Sequence, residues 1–140
     1  MTPGRMAEGL RTRMDGPHGE DHTTGAAELA AQAVRFLNYA TGPHADSGLP
    51  YPATVYSVAA SLSLAAGRLG QLFGQLDGYL HRELAAGRLG EDSGADPAGA
   101  VDLASHHLSV AAAAASGLAD ALGAVQSDLS GTHYRPDGAR

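Results

Sequence analysis

Residues 52–86 read PATVYSVAASLSLAAGRLGQLFGQLDGYLHRELAA, and this stretch decides the fold. Apolar residues recur at every third or fourth position without the alternation of a strand, which predicts one long amphipathic α-helix. Pro52 suits the first helical turn, because the N–H group that proline lacks would have no partner there. Residues 87–90, which read GRLG, predict the end of the helix.

Four glycines stand inside this predicted helix. Each one costs about 0.5–1 kcal/mol of helix stability relative to alanine. Helical spacing stacks Gly70, Gly74 and Gly78 on one side, with Gly67 one step away, so a smooth groove runs beside the leucine-rich face. We expect this interaction groove to be filled, either by the chain's own first or third helix or by another subunit.

Two further helices complete the predicted all-α fold. Residues 26–40 place Leu29, Ala33 and Phe36 on one stripe, and Asp96 followed by Pro97 is typical of a helix start, here over residues 97–130. The helices at 52–86 and 97–130 are predicted to form a long antiparallel helical hairpin, with the short N-terminal helix packed across it in a three-helix bundle. We expect residues 1–24 to form a disordered leader, residues 25–131 a single helical domain, and residues 132–140 a frayed tail.

The helical period also predicts which faces are buried, because successive residues lie about 100° apart. On the second helix a broad face is expected in the core; it contains Val55, Val58, Leu62, Ala65, Leu69, Leu72, Phe73, Leu76, Leu80 and Leu84. On the third helix the expected core face contains Leu103, Val110, Ala111, Ala114, Leu118, Ala121, Leu122, Val125 and Leu129. The second helix has so little polar surface that we expect it to contact partners on two sides.

Only histidines and carboxylates offer candidate chemistry. Asp77 and His81 are four residues apart on the second helix, Asp102 and His106 are four apart on the third, and a hairpin brings the two pairs to one level. Two His and two Asp are a possible zinc ligand set. The alternative is that both are exposed helical Asp–His pairs, and that His107 is a core histidine hydrogen-bonded to a neighbour such as Asp77.

The pattern predicts no enzyme and no cofactor. No glycine-rich phosphate loop follows a strand, and no oxyanion-stabilising turn accompanies the serines near His106. The absence of cysteine excludes disulfides, thiolate catalysis and cysteine-ligated metals. We therefore predict no metal site, with Asp77, His81, Asp102 and His106 as the only candidate ligands.

Charge and hydropathy bear on partners and location. A formal net charge of -6 and a pI near 5.5 argue against a nucleic-acid-binding domain, which would present a clustered basic face. The N-terminus lacks the apolar segment of a secretory signal, and no uninterrupted apolar run reaches the roughly 18 residues of a membrane span. We expect a cytoplasmic protein without a membrane or nucleic-acid partner.

Two stretches carry a family resemblance: residues 36–41, FLNYAT, and residues 49–52, LPYP. With the alanine-rich composition, they make the chain resemble the small helical proteins that high-GC actinobacteria encode, a resemblance that implies no activity. The chain is also similar to WXG-type secreted helical hairpins in its helix lengths and acidic character. It has no tryptophan for the turn, and no acidic residue stands four positions after Tyr134.

Three functional hypotheses follow. The favoured one is a non-enzymatic protein–protein interaction or self-assembly module that uses the helix at 52–86, with a second copy or another protein as its partner. The alternative is a small-molecule or metal-binding helical domain with His81, His106 and His107 near its site. The third is a WXG-like secreted helical hairpin.

Overall fold

The computed structural model describes residues 18–43, 48–133 and 135. Three α-helices account for most of them: α1 Glu20–Ala40, α2 Pro52–Ala85 and α3 Ala98–Leu129, and no strand occurs within these ranges. The chain divides after Gly48 into two units, with α1 in the first and the α2/α3 hairpin in the second. The prediction of an all-α fold built on a long helical hairpin is confirmed. The single domain and the placement of the first helix across the hairpin stay predictions.

Helix α1 begins at Glu20, six residues before its predicted start at residue 26. Acidic Glu20 and Asp21 lie in the first turn, where they complement the positive end of the helix dipole. The hydroxyls of Thr23 and Thr24 donate to carbonyl oxygens four residues back, so this polar turn joins the helix. Residues 1–17 of the predicted leader and residues 134 and 136–140 of the tail lie outside the described residues.

Both ends of the turn between α2 and α3 follow local signals in the sequence. At the end of α2 the N–H of Arg88 donates to the Glu83 carbonyl and the N–H of Gly87 to the Leu84 carbonyl, the pattern of a Schellman motif. Gly87 has a φ of +67°, which glycine adopts without the steric cost of a Cβ. At the start of α3 the N–H of Ala98 donates to the Asp96 carboxylate over 2.9 Å.

Helices α2 and α3 are antiparallel. The Ser63 hydroxyl of α2 donates to the Ala119 carbonyl oxygen of α3 over 2.9 Å, and further along α2 the His81 ring lies against Ser105. Four residues of the described part of the chain are buried, and all of them lie between these helices: Ala59, Ala66, Val101 and Ala115. A serine side chain that reaches the backbone of the opposite helix requires two closely spaced helices, which small residues at the contact permit.

The contact between the helices follows alternating steps of three and four residues, as in a coiled coil. We call these positions the seam, and each of them is buried or half-buried: Ala59, Ser63, Ala66, Gly70, Phe73, Asp77, Leu80 and Leu84 on α2, with Val101, Ser105, Leu108, Ala112, Ala115, Ala119, Leu122, Gln126 and Leu129 on α3. The predicted core faces are therefore wrong in part. Leu72, Leu76, Leu103, Val110 and Leu118 were placed in the core, and all five are exposed.

The physical reason for this difference lies in the two adjacent apolar stripes of α2. One stripe is rich in leucine and the other in alanine, serine and glycine, and α2 can bury only one of them against α3. The stripe of small residues faces α3, because it lets the two backbones approach. The leucine-rich stripe is left at the flank.

Candidate functional site

The predicted glycine groove is open. A Cβ atom built on Gly67, Gly70 or Gly74 would meet no atom of the described residues within 4 Å, and one built on Gly78 would meet only the Arg82 Nη1 atom, at 3.3 Å. The expectation that the chain's own third helix fills the groove is thus wrong, because Gly67, Gly74 and Gly78 lie beside the seam. The interaction role of the groove stays a prediction.

The Asp–His pairs separate in the structure. The His81 Nε2 atom lies 3.4 Å from Asp77 Oδ1 and 3.5 Å from the Ser105 hydroxyl oxygen of α3. Asp102 and His106 are exposed and lie off the seam, although the hairpin does bring them near the level of His81. No group of three or more His, Asp or Glu side chains suited to a metal forms among the described residues. The four candidate ligands are not gathered.

Two further expectations about histidine are corrected. His107 is exposed beside His106, with ring centroids 5.5 Å apart, and the neighbour of Asp77 is His81 instead. The grouping of Asp77, His81 and Ser105 also differs from a nucleophile–base–acid relay, which needs a different ring nitrogen for each partner. Here Nε2 faces both the carboxylate and the hydroxyl, so the ring cannot pass a proton between them.

A continuous apolar surface covers one side of the hairpin. The residues that directly precede the seam positions 63, 70, 77 and 84 form one flank of α2, and those that directly precede 105, 112, 119 and 126 form one flank of α3. In an antiparallel pair these two flanks lie on the same side of the hairpin. We call this surface the leucine side; it comprises Val55, Val58, Leu62, Ala65, Leu69, Leu72, Leu76 and Tyr79 of α2, with Ala100, Ala104, His107, Ala111, Ala114, Leu118, Ala121 and Val125 of α3, and Glu83 and Asp128 lie at its two ends.

The largest side chains of the leucine side face solvent. Leu72 and Leu76 are each 43% exposed, and Leu118 is 51% exposed. Leu103 and Val110 extend the apolar surface at the outer edge of α3 and are exposed as well. A contiguous apolar patch of this kind marks an interaction site more often than a solvated face.

The other side of the hairpin, which we call the polar side, carries the glycines. Gly67, Gly74 and Gly78 of α2 lie there with Gln71, and α3 contributes Asp102, Ser109, Ser116, Asp120 and Ser127. The groove predicted from the sequence therefore opens on the polar side, opposite the leucine side. The sequence predicts one apolar face on α3 with Ala111, Ala114, Leu118, Ala121 and Val125, but it places this face in the core, whereas in the structure these residues lie on the leucine side.

Helix α3 is long and apolar enough, by length and composition, to cross a membrane. The sequence shows no uninterrupted apolar run of that length, because serines, histidines and aspartates stand among the apolar residues. Core helices of soluble proteins meet the same criterion. In the hairpin one face of α3 contacts α2, and exposed Asp102 and Asp120 lie on its polar side.

One ion pair closes the end of the leucine side. The Arg88 guanidinium donates two hydrogen bonds to the Glu83 carboxylate, with Nε to Oε2 at 2.6 Å and Nη2 to Oε1 at 2.7 Å. This hydrogen bonding, with the positive charge of Arg88, lowers the pKa of Glu83 below its ordinary value. The pair fixes the turn after α2 and leaves the middle of the leucine side without charged residues.

Comparison with known proteins finds no match to any family model, curated protein or solved structure. The function must therefore be argued from the site alone.

Proposed function

We propose that this chain is a non-enzymatic helical interaction module whose hairpin buries its leucine side against a second helical protein chain. The observation that carries the proposal is the exposure of Leu72, Leu76 and Leu118 on one apolar surface. Only four residues within the described ranges are buried, and each of them is an alanine or a valine. Exposed leucines of both helices are thus available for a partner, and their burial would supply the stability that the thin core lacks.

The test compares one charge on the two sides of α2. Leu72→Glu places a carboxylate on the leucine side, and Gln71→Glu places the same carboxylate on the polar side, one residue away. Losing the burial of one leucine side chain costs about 1.5–3 kcal/mol per chain, which weakens association roughly 10- to 150-fold. A second pair, Leu118→Glu and Ser116→Glu, repeats the comparison on α3.

Two measurements follow the association. Light scattering gives the mass of the purified protein, and native size fractionation gives the size of the tagged full chain in an extract of the cells that make it. We expect the mass of the wild type, Gln71→Glu and Ser116→Glu to exceed the 14.2 kDa of one chain in at least one of these measurements. The mass of Leu72→Glu and Leu118→Glu should be smaller than that of the wild type or equal to that of one chain. If the wild type has the mass of a single chain in both measurements, the proposal is wrong.

A further inference from the structure

We infer that the chain which covers the leucine side is a second copy of this protein, with α3 of each copy lying over α2 of the other. The inference rests on the proposed function and names its partner. The area of the surface is the first argument. A helix of 32 residues is about 48 Å long, and two neighbouring helices present a surface about 20 Å wide. The leucine side covers 26 of these residues, from Ala100 to Val125, over about 39 Å, so it measures about 780 Å², close to the roughly 800 Å² per partner of a stable protein interface.

Charge is the second argument. Between Glu83 at one end and Asp128 at the other, the leucine side has no carboxylate, arginine or lysine, and His107 and Tyr79 are the titratable groups of that stretch. A surface that binds a different protein usually carries charges that set the orientation of that partner. An uncharged surface can face its own copy without bringing like charges together, as an isologous two-fold contact requires.

The sizes of the side chains select the arrangement. The α2 half of the leucine side is bulky, with leucines at 62, 69, 72 and 76, whereas the α3 half is mostly alanine. A two-fold axis parallel to the helices places the bulky half of each copy over the small half of the other. A two-fold axis perpendicular to the helices would place leucines on leucines and alanines on alanines, which fills space less well.

The two contacts across the seam fix the heights of the residues along the hairpin. Ser63 lies level with Ala119, and Asp77, against which the His81 ring lies, is level with Ser105. Leu72 is nine residues after Ser63, and Val110 is nine residues before Ala119, so Leu72 and Val110 lie at one height, with Ala111 beside Val110 on the leucine side. A two-fold axis parallel to the helices keeps every height unchanged. Leu72 of one copy is therefore placed next to Ala111 of the second copy.

Two occupants compete with a second copy: the chain's own α1, which is predicted to pack across the hairpin and would leave the wild type at the mass of one chain, and a lipid surface, since α3 is apolar enough to cross a membrane. The hairpin argues against the lipid surface. Helix α3 contacts α2 along its seam, and the hydrogen bond from Ser63 to Ala119 joins the two helices near the middle of α3. A lone α3 in a membrane would give up this contact and bring Asp102 and Asp120 into hydrocarbon.

Disulfide trapping tests the arrangement, because the chain has no cysteine of its own. Copies with Leu72→Cys and copies with Ala111→Cys carry different tags, are produced together, and are oxidised. We expect disulfides between the two differently tagged copies, and none between two Leu72→Cys copies, which lie diagonally apart and beyond the 4.4–6.8 Å Cα separation of a disulfide. Gln71→Cys with Ser109→Cys, on the polar side, is the matched control and should give none.

Ala65→Cys with Leu118→Cys, two turns further along, is the second pair, and circular dichroism checks that each variant keeps the helix content of the wild type. Disulfides between two Leu72→Cys copies would overturn the arrangement while the proposed function stands. If the purified wild type has the mass of one chain but belongs to a large complex in the cell extract, the inference that the partner is a second copy is wrong, and the proposed function stands. If no disulfides form and the wild type co-sediments with phospholipid vesicles, lipid covers the leucine side and the inference is wrong.

Discussion

Alanine at the helical glycines gives the sharpest test of which side of the hairpin is occupied. The glycines at 67, 70 and 74 have the ordinary negative φ of a helix, and an added Cβ on each meets no atom within 4 Å among the described residues. Each Gly→Ala change therefore removes a helix penalty without creating a clash. At about 0.5–1 kcal/mol per site, the triple variant should be more stable than the wild type by about 1.5–3 kcal/mol.

The assay is urea unfolding followed by circular dichroism at two protein concentrations, since association adds stability that depends on concentration. Gly78→Ala should also stabilise the protein, because its Cβ meets only the flexible tip of Arg82, which can move aside. Gly87→Ala is the contrasting control; at a φ of +67° it should destabilise the protein by about 1–2 kcal/mol.

The opposite result at Gly74 would refute the reasoning. If Gly74→Ala lowered the stability, and more strongly at the higher protein concentration, another chain would be packed against the glycines. The groove on the polar side would then be the interface, and the leucine side would not. Stabilisation that is equal at both concentrations is the expected result.

Three further outcomes test the seam and the turn. Ala66→Leu forces a large side chain between the helices and should cost about 1–3 kcal/mol in urea unfolding, whereas an equal or higher stability would contradict a close contact there. Ser63→Ala removes the hydrogen bond to Ala119 and should cost about 0.5–1.5 kcal/mol by the same assay. Because Arg88 lowers the pKa of Glu83, the ion pair should stabilise the wild type relative to Glu83→Gln at pH values above 4.5, the ordinary pKa of glutamate. This advantage should disappear as the pH falls through the lowered pKa, and a pH-independent difference in melting temperature would contradict it.

The helices were predictable from local signals. Pro52 at the start of α2, Gly87 at its end and Asp96 before α3 each act within a few residues, so their effect is the same in any fold. The start of α1 was not predicted, because its first turn is polar and gives no apolar period. The hairpin followed from two long helices joined by a short connection.

The buried faces and the candidate site were predictable only in part. Because α2 has few polar residues, the sequence indicates a second apolar side in addition to the side that contacts α3. The helical period of the apolar residues does not indicate which stripe of α2 is covered by α3. Leu72 and Leu118 are therefore predicted in the core, although they are exposed. Likewise, His81 and Asp77 could be paired from their spacing, but the approach of Ser105 depends on the rotation of α3.

The sequence by itself determined the elements: three helices, their caps, the turn at Gly87, and an α2 that is apolar on most of its circumference. These are properties of neighbouring residues, and the chain expresses them wherever it folds. Only the tertiary structure decided which residues form the seam, that Gly67, Gly74 and Gly78 open on the polar side, and that the exposed leucines share one surface with the alanines of α3. The reason is that rotation of one helix against another depends on how closely two backbones can approach, and that distance belongs to the pair of helices and not to either sequence stretch alone.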